Sequence, residues 1–132
     1  MKIRPVILCG GAGTRLWPKG SKHQAKQFID FGGWTLINKT FERIKNNIYD
    51  YPIISTNAKY IKEVKKALKK SKIKKFKIVL EPAKKNTAPA ILTSALIKDI
   101  PNNQPLMYFT ADHLIENSSK LNREIYLSLI HI

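Results

Sequence analysis

The stretch LCGGAGTRLWP, residues 8–18, decides how the rest of the chain is read. It continues an apolar, β-branched run, residues 4–9, that ends in glycines and predicts a buried strand. Two common phosphate loops fail at this point. The ATPase loop requires G-x-x-x-x-G-K-[ST], and no such spacing occurs in the chain. The dinucleotide fingerprint G-x-G-x-x-G begins well at Gly11 and Gly13 but meets Leu16 where its third glycine belongs. What remains is Gly10, Gly11 and Gly13 directly after a strand, with Thr14 and Arg15 next. Glycines let backbone N–H groups approach an anion closely, and Arg15 adds a cationic fork for phosphate oxygens. Taken alone, the stretch also fits a plain glycine-rich turn with a surface arginine.

Working outward, a helix is expected over 34–47, where Leu36, Ile37, Thr40, Phe41 and Ile44 recur at helical spacing. A strand follows at 51–56. The next helix, 58–71, places Ile61, Val64, Ala67 and Leu68 on one stripe and lysines on the other face. A third strand, 76–80, closes at Glu81-Pro82. A helix over 87–100 has Thr87 as its cap, Pro89 in its first turn, and Ala90, Ile91, Ser94, Ala95 and Ile97 facing inward. A fourth strand, 106–110, runs into Ala111-Asp112-His113, and a last helix starts at 119. Strands and helices thus alternate, which predicts an α/β fold: a mostly parallel sheet with helices on both faces. Ligands of such sheets bind beyond the carboxyl ends of the strands, so 10–18, 81–87 and 111–113 are the segments to search. The final YLSLIHI stops inside a helical pattern without glycine, proline or cap, which points to a fragment.

With 132 residues, 43% of them hydrophobic, the chain has material for one domain and an ordinary core. Its 24 Lys and Arg against 9 Asp and Glu leave a net charge of +15, which raises a nucleic-acid hypothesis. Only Arg4, Arg15, Arg43 and Arg123 are arginines, whereas base and phosphate readout favours the guanidinium fork. The lysine-rich run 62–77 reads first as a solvated helix face with its loop, and second as a polyanion-binding surface. Cys9 stands alone, so no intrachain disulfide can form and a reducing compartment fits. No apolar run is long enough for a signal peptide or a membrane span, and a cytoplasmic protein is the expectation.

Three blocks carry a resemblance. GGAGTRLWP followed by Lys26-Gln27-Phe28, then EPAKKNTAPAI over 81–91, then FTADH over 109–113 resemble, in order, the signature blocks of the sugar-nucleotide pyrophosphorylases. Trp17 and the KQF ending are most similar to the mannose-1-phosphate guanylyltransferase branch. The chain departs from the usual pattern at Lys19-Gly20-Ser21, at Ala25 in place of a proline, at Lys85 in place of an arginine, and at Thr110 before Ala-Asp-His. The resemblance spans nearly the whole chain. It implies a Rossmann-like sandwich of the nucleotide-diphospho-sugar transferase type. Residues 1–132 would form the N-terminal, nucleotide-binding part of a catalytic domain that is incomplete at its C-terminal side.

The implied reaction joins GTP and α-D-mannose 1-phosphate into GDP-mannose with release of diphosphate. Such transfer needs positioning and charge neutralisation more than covalent help. By resemblance, Leu8, Gly10, Gly11, Ala12, Gly13, Thr14, Glu81, Pro82, Asn86 and Thr87 bind the nucleotide. Arg15 would hold the leaving phosphates, and Lys26 would reach the α-phosphate or the incoming sugar phosphate. Asp112 would bind Mg²⁺ together with phosphate oxygens and water. Glu81 could accept hydrogen bonds from the N1–H and amino group of guanine; capping of Asn86 and Thr87 is its alternative. Asp112 as a cap for the next turn and Lys26 as a surface lysine are the plainer readings of those two. His113 is expected as a hydrogen-bonder behind the site, and Trp17 as packing under the loop. Sugar recognition and a second metal-binding aspartate would come from a later half. GTP and mannose 1-phosphate are the expected partners; an oligomer is compatible, a membrane is excluded and nucleic acid is disfavoured. A related enzyme using UTP, dTTP or CTP is the near alternative, and a basic nucleic-acid-binding module the distant one.

Overall fold

The computed structural model describes residues 1–11, 25–81 and 87–131. Four strands form one sheet: β1 Arg4–Cys9, β2 Ile53–Thr56, β3 Lys77–Leu80 and β4 Leu106–Thr110. Their order is β3-β2-β1-β4 and every neighbouring pair is parallel. Among the described residues the helices are α1 Leu36–Arg43, α2 Ile61–Lys70, α3 Thr87–Ala95 and α4 Ser118–His131. Two three-residue 3-10 turns, Lys26–Phe28 and Ala58–Tyr60, lead toward α1 and α2. The expected alternation of strands and helices is what forms, and β1 and β4 have the expected bounds.

Side chains alternate across a strand, so β1 feeds two layers. Ile7 and Cys9 join Ile54 and Phe109 in the main core with Ile37 and Phe41 of α1 and Val64, Ala67 and Leu68 of α2. Leu121, Ile125 and Leu129 of α4 pack on the same cluster. On the opposite face Val6 pairs in register with Ile53 and Tyr108, and there α3 lies across β1 and β2. Tyr108 anchors α3 by donating its hydroxyl to the Ile91 carbonyl, 3.2 Å away.

Local chemistry sets the helix limits. Thr35 caps α1, its Oγ1 accepting from the Asn38 N–H at 3.3 Å. The helix expected to run to 47 stops at Arg43 and is followed by turns. There the Asn46 side chain, rather than a helical carbonyl, takes the Ile48 N–H. At the end of α2, Ile73 N–H reaches the Leu68 carbonyl and Lys72 N–H the Lys69 carbonyl, a Schellman closure with Lys72 at φ +55°. The lysines at 62, 65, 66, 69 and 70 are exposed on α2, opposite buried Val64, Ala67 and Leu68, as a solvated face requires.

Helix α3 corrects three expectations. It ends at Ala95, and only Ala90 and Ser94 are buried; Ile91 and Ala95 are exposed. A helix of nine residues that lies over β1 and β2 and is tied to β4 through Tyr108 seats one i, i+4 pair on the sheet, and the apolar residues around it face outward. Thr87 is its first helical residue rather than its cap, and position 86 lies outside the described residues. Leu92 of α3, Leu96 just after it, and Tyr126, Leu127 and Ile130 of α4 are likewise exposed.

The amino ends of the strands are tied by a buried arginine. Arg4 pairs with Asp50 at 2.7 Å, donates to the Tyr51 carbonyl at 2.9 Å and to Gln104 Oε1 at 3.1 Å. Burial alone would raise the Asp50 pKa. Hydrogen bonds from Tyr51 N–H and Gln104, and the charges of Arg4 and Lys75, outweigh it and hold the carboxyl below its usual range. A depressed folded pKa gives stability that is present above the unfolded pKa of about 3.9 and lost as pH falls through the folded value. The thermal midpoint is therefore expected to fall more steeply below about pH 4 in the parent chain than in Asp50→Asn. Parallel acid profiles in a pH series of melts would contradict this.

Candidate functional site

The strand order reverses between β1 and β4, because β2 and β3 add on one side of β1 and β4 on the other. In doubly wound sheets this switch point opens a crevice at the carboxyl ends. Three of the segments singled out in the sequence begin there. Gly10 and Gly11 follow β1, Glu81 follows β3, and Asp112 follows β4 by two residues. The ladders continue just past the strands: Glu81 N–H donates to the Thr56 carbonyl at 2.9 Å, and Ala111 N–H to the Leu8 carbonyl at 3.1 Å. Backbone pairing therefore fixes where Glu81 and Asp112 leave the sheet.

Glu81 lies against the glycine turn. A Cβ on Gly10 would come within 2.6 Å of Glu81 Oε2 and 3.0 Å of Oε1, so only glycine permits this approach. Ser55, fully buried at the end of β2, donates its hydroxyl to Glu81 Oε1 at 2.7 Å. Among the described residues Ser55 is the carboxylate's hydrogen-bond partner; the alternative of Glu81 capping Asn86 and Thr87 involves position 86, outside the described residues. A partly buried carboxylate with one oxygen committed to a hydroxyl keeps acceptor capacity for a neighbouring N–H donor.

On the other side, Lys26 Nζ stands 3.8 Å from Asp112 Oδ2, with side-chain exposures of 31% and 40%. At that length and exposure the pair contributes about 0–1 kcal/mol, so it is not what holds the fold. It leaves an ammonium and a carboxylate side by side, each able to take a new partner, phosphate for the first and a cation for the second. His113 Nε2 lies 3.8 Å from Asp112 Oδ1, and the imidazole is exposed. The next helix begins at Ser118, six residues beyond Asp112. Among the described residues no three His, Cys, Asp or Glu side chains converge on a metal position. The Asp112 carboxylate, 40% exposed, is a hard oxygen donor of the type that Mg²⁺ takes through one or two carboxylates, with phosphate oxygens and water completing its shell.

Lys26 is carried by the 3-10 turn Lys26–Phe28, an element absent from the periodic reading of the sequence. Gln27 of the same turn is buried and donates to the Gly11 carbonyl at 3.2 Å and to the Cys9 carbonyl at 3.4 Å. It links the lysine to the glycine turn. Cys9 beneath it is inert: burial, against hydrogen bonds from Gln27 and Thr56, pushes its thiol up to about 12. Leu8 is in mid-ladder, paired with Ser55 and Thr110, and Thr87 is exposed at the start of α3. Ala12, Gly13, Thr14, Arg15, Trp17, Pro82, Lys85 and Asn86 lie outside the described residues. Ser55, Gln27 and the buried Arg43 behind Asp112 were assigned no role from the sequence. A polar pair, Ser55-Thr56, closing an otherwise apolar strand was the available signal for the first. A cleft of about 420 Å³ lies elsewhere, between the 3-10 turn, the start of α1 and α2, and does not include these candidates.

A glycine turn, a lysine and two carboxylates thus stand at the carboxyl ends of a parallel α/β sheet, where sheets of this type bind their ligands. The chain belongs to the nucleotidyl transferase family: the profile described as "Nucleotidyl transferase" matches residues 4–125. An alginate biosynthesis protein AlgA from Pseudomonas fluorescens is 35% identical over 128 residues, covering 96% of this chain and 26% of that protein. A mannose-1-phosphate guanylyltransferase from Salmonella montevideo is 35% identical over 124 residues, 93% of this chain and 26% of that one. A crystal structure of a mannose-6-phosphate isomerase from Helicobacter pylori superposes with a TM-score of 0.75 at 27% identity, covering 98% of this chain and 46% of its own. The chain thus spans about a quarter of the length of the curated relatives it matches.

Proposed function

We propose that this chain is the nucleotide-binding part of a mannose-1-phosphate guanylyltransferase, taking GTP and α-D-mannose 1-phosphate to GDP-mannose and diphosphate. The observation that carries the reading is the Glu81 carboxylate seated against Gly10 and held by Ser55. Placed at the nucleotide end of the crevice, it matches the N1–H and amino donors of guanine. Adenine and the pyrimidine bases do not present that donor pair. The relatives named for this activity, 35% identical over almost the whole chain, support the same choice.

In the reaction, an oxygen of the sugar phosphate attacks the α-phosphorus, and the bond from that phosphorus to the bridging β-oxygen breaks. Diphosphate leaves with the electron pair, and no proton transfer is needed because the attacking oxygen is already ionised. Lys26 neutralises charge on the α-phosphate or the incoming sugar phosphate, and Arg15 holds the leaving phosphates. Gly10, Gly11 and Gly13 present backbone N–H groups, with Ala12, Thr14, Pro82, Asn86 and Thr87 completing the nucleotide contacts. Asp112 would hold Mg²⁺, which when bound supplies charge neutralisation to the phosphates. The buried single cysteine suits a reducing, cytoplasmic setting.

A panel of nucleoside triphosphates with Mg²⁺ tests the base assignment by thermal shift. GTP is expected to raise the midpoint most, ITP less because it lacks the amino group, and UTP, dTTP, CTP and ATP least. A larger shift with any pyrimidine nucleotide would overturn the guanine reading.

A further inference from the structure

Arg43, the last residue of α1, is buried to 3% exposure, yet among the described residues it forms no ion pair. Its Nε has no hydrogen-bond partner, and its guanidinium lies over the Phe109 ring, 6.0 Å from the centroid. One side-chain hydrogen bond is made, from Nη2 to the His113 carbonyl at 3.2 Å. An unpaired guanidinium is costly to bury, and a methionine would fill the same slot without that cost. Burial also lowers the Arg43 pKa, partly countered by Tyr49.

We propose that Arg43 is a positioning residue for Asp112, a reading that rests on the metal-binding role assigned to that aspartate. Asp112 is bracketed. On its amino side Ala111 N–H is tied to the Leu8 carbonyl, and on its carboxyl side the His113 carbonyl is tied to Arg43. Pinned at both neighbours, the carboxylate is held facing Lys26. The arginine is itself fixed from behind: its carbonyl accepts from Asn122 Nδ2 at 3.4 Å, and Asn122 Oδ1 accepts the Tyr49 hydroxyl at 2.8 Å. Helix α1 thereby carries a link from α4 to the turn after β4. A guanidinium suits this duty because its rigid fork stays charged and donates in a fixed direction.

The test uses the 132-residue chain with Arg43→Met, Arg43→Lys and Asp112→Asn. Amide hydrogen exchange reads the turn, and Mn²⁺ relaxation in the presence of GTP reads the metal site. In Arg43→Met, exchange over 111–113 is expected to quicken about tenfold while β1 and β2 stay protected, with Mn²⁺ binding weaker by about tenfold. Arg43→Lys keeps the charge without the fork and is expected to change both in the same direction, by less. Unchanged exchange at 111–113, or a uniform loss of protection across the sheet, would overturn the proposal. If Asp112→Asn binds Mn²⁺ like the parent, the metal role falls, and the exchange result still decides whether Arg43 holds the turn.

Discussion

Arg4→Ala is expected to cost the chain about 1–3 kcal/mol of folding stability, the usual result of stripping hydrogen-bond partners from a buried guanidinium site whose Asp50 side chain is one-third exposed. Arg4 is 3% exposed and serves three segments at once. Its guanidinium meets Asp50 and the Tyr51 carbonyl before β2 and Gln104 before β4, and stacks 3.7 Å from the Tyr51 ring centre. Gln104 closes the set by donating to Asp50 Oδ2 at 3.2 Å. Removing the side chain leaves these groups with unmatched polarity in a confined space, against a total stability that for such domains is only about 5–15 kcal/mol. Urea unfolding should show a much lower midpoint with an unchanged slope, and Arg4→Lys should fall between the two. A loss below about 1 kcal/mol would mean that the network is incidental. The residue lies at the amino ends of the strands, opposite the candidate site, so the folded fraction should bind GTP as before.

Gly10→Ala is expected to act the other way, sparing the fold and weakening GTP binding by about tenfold to a hundredfold, the value of one or two hydrogen bonds to a charged group. The added Cβ would meet the tip of the Glu81 side chain, 2.6 Å from Oε2, rather than backbone. That tip can swing away at little cost, breaking its bond to Ser55 and leaving the position proposed for guanine. Glu81→Gln, which replaces one acceptor oxygen by a donor, should reduce the preference for GTP over ITP. Titrations of the folded chain with both nucleotides measure the two effects. GTP affinity within about twofold of the parent in Gly10→Ala would remove Glu81 from the site.

Much of this was legible because it is local. Strands β1 and β4 are short apolar runs with clear punctuation, and α2 has one apolar stripe and one lysine face; each pattern is read within a few residues. The candidates Gly10, Lys26, Glu81 and Asp112 could be named because the three blocks that hold them resemble the signature blocks of a known family. Their partners could not. Ser55 is separated from Glu81 by 26 residues and Arg43 from His113 by 70, and no periodicity links such positions.

The face of α3 shows the same boundary. Its composition is apolar almost all round, so the pattern does not choose a side, and only docking on the sheet selects Ala90 and Ser94. By itself the sequence determined the alternation of elements, the glycine turn after β1 and the residue types available for nucleotide chemistry. Only the tertiary structure decided that β4 returns to the free side of β1, creating the crevice. It also seated Glu81 on a missing Cβ and set a buried arginine behind Asp112. The reason is physical: backbone propensity and hydrophobic period act over a few residues, whereas pairing, burial and close approach are settled only when distant segments compete for the same space.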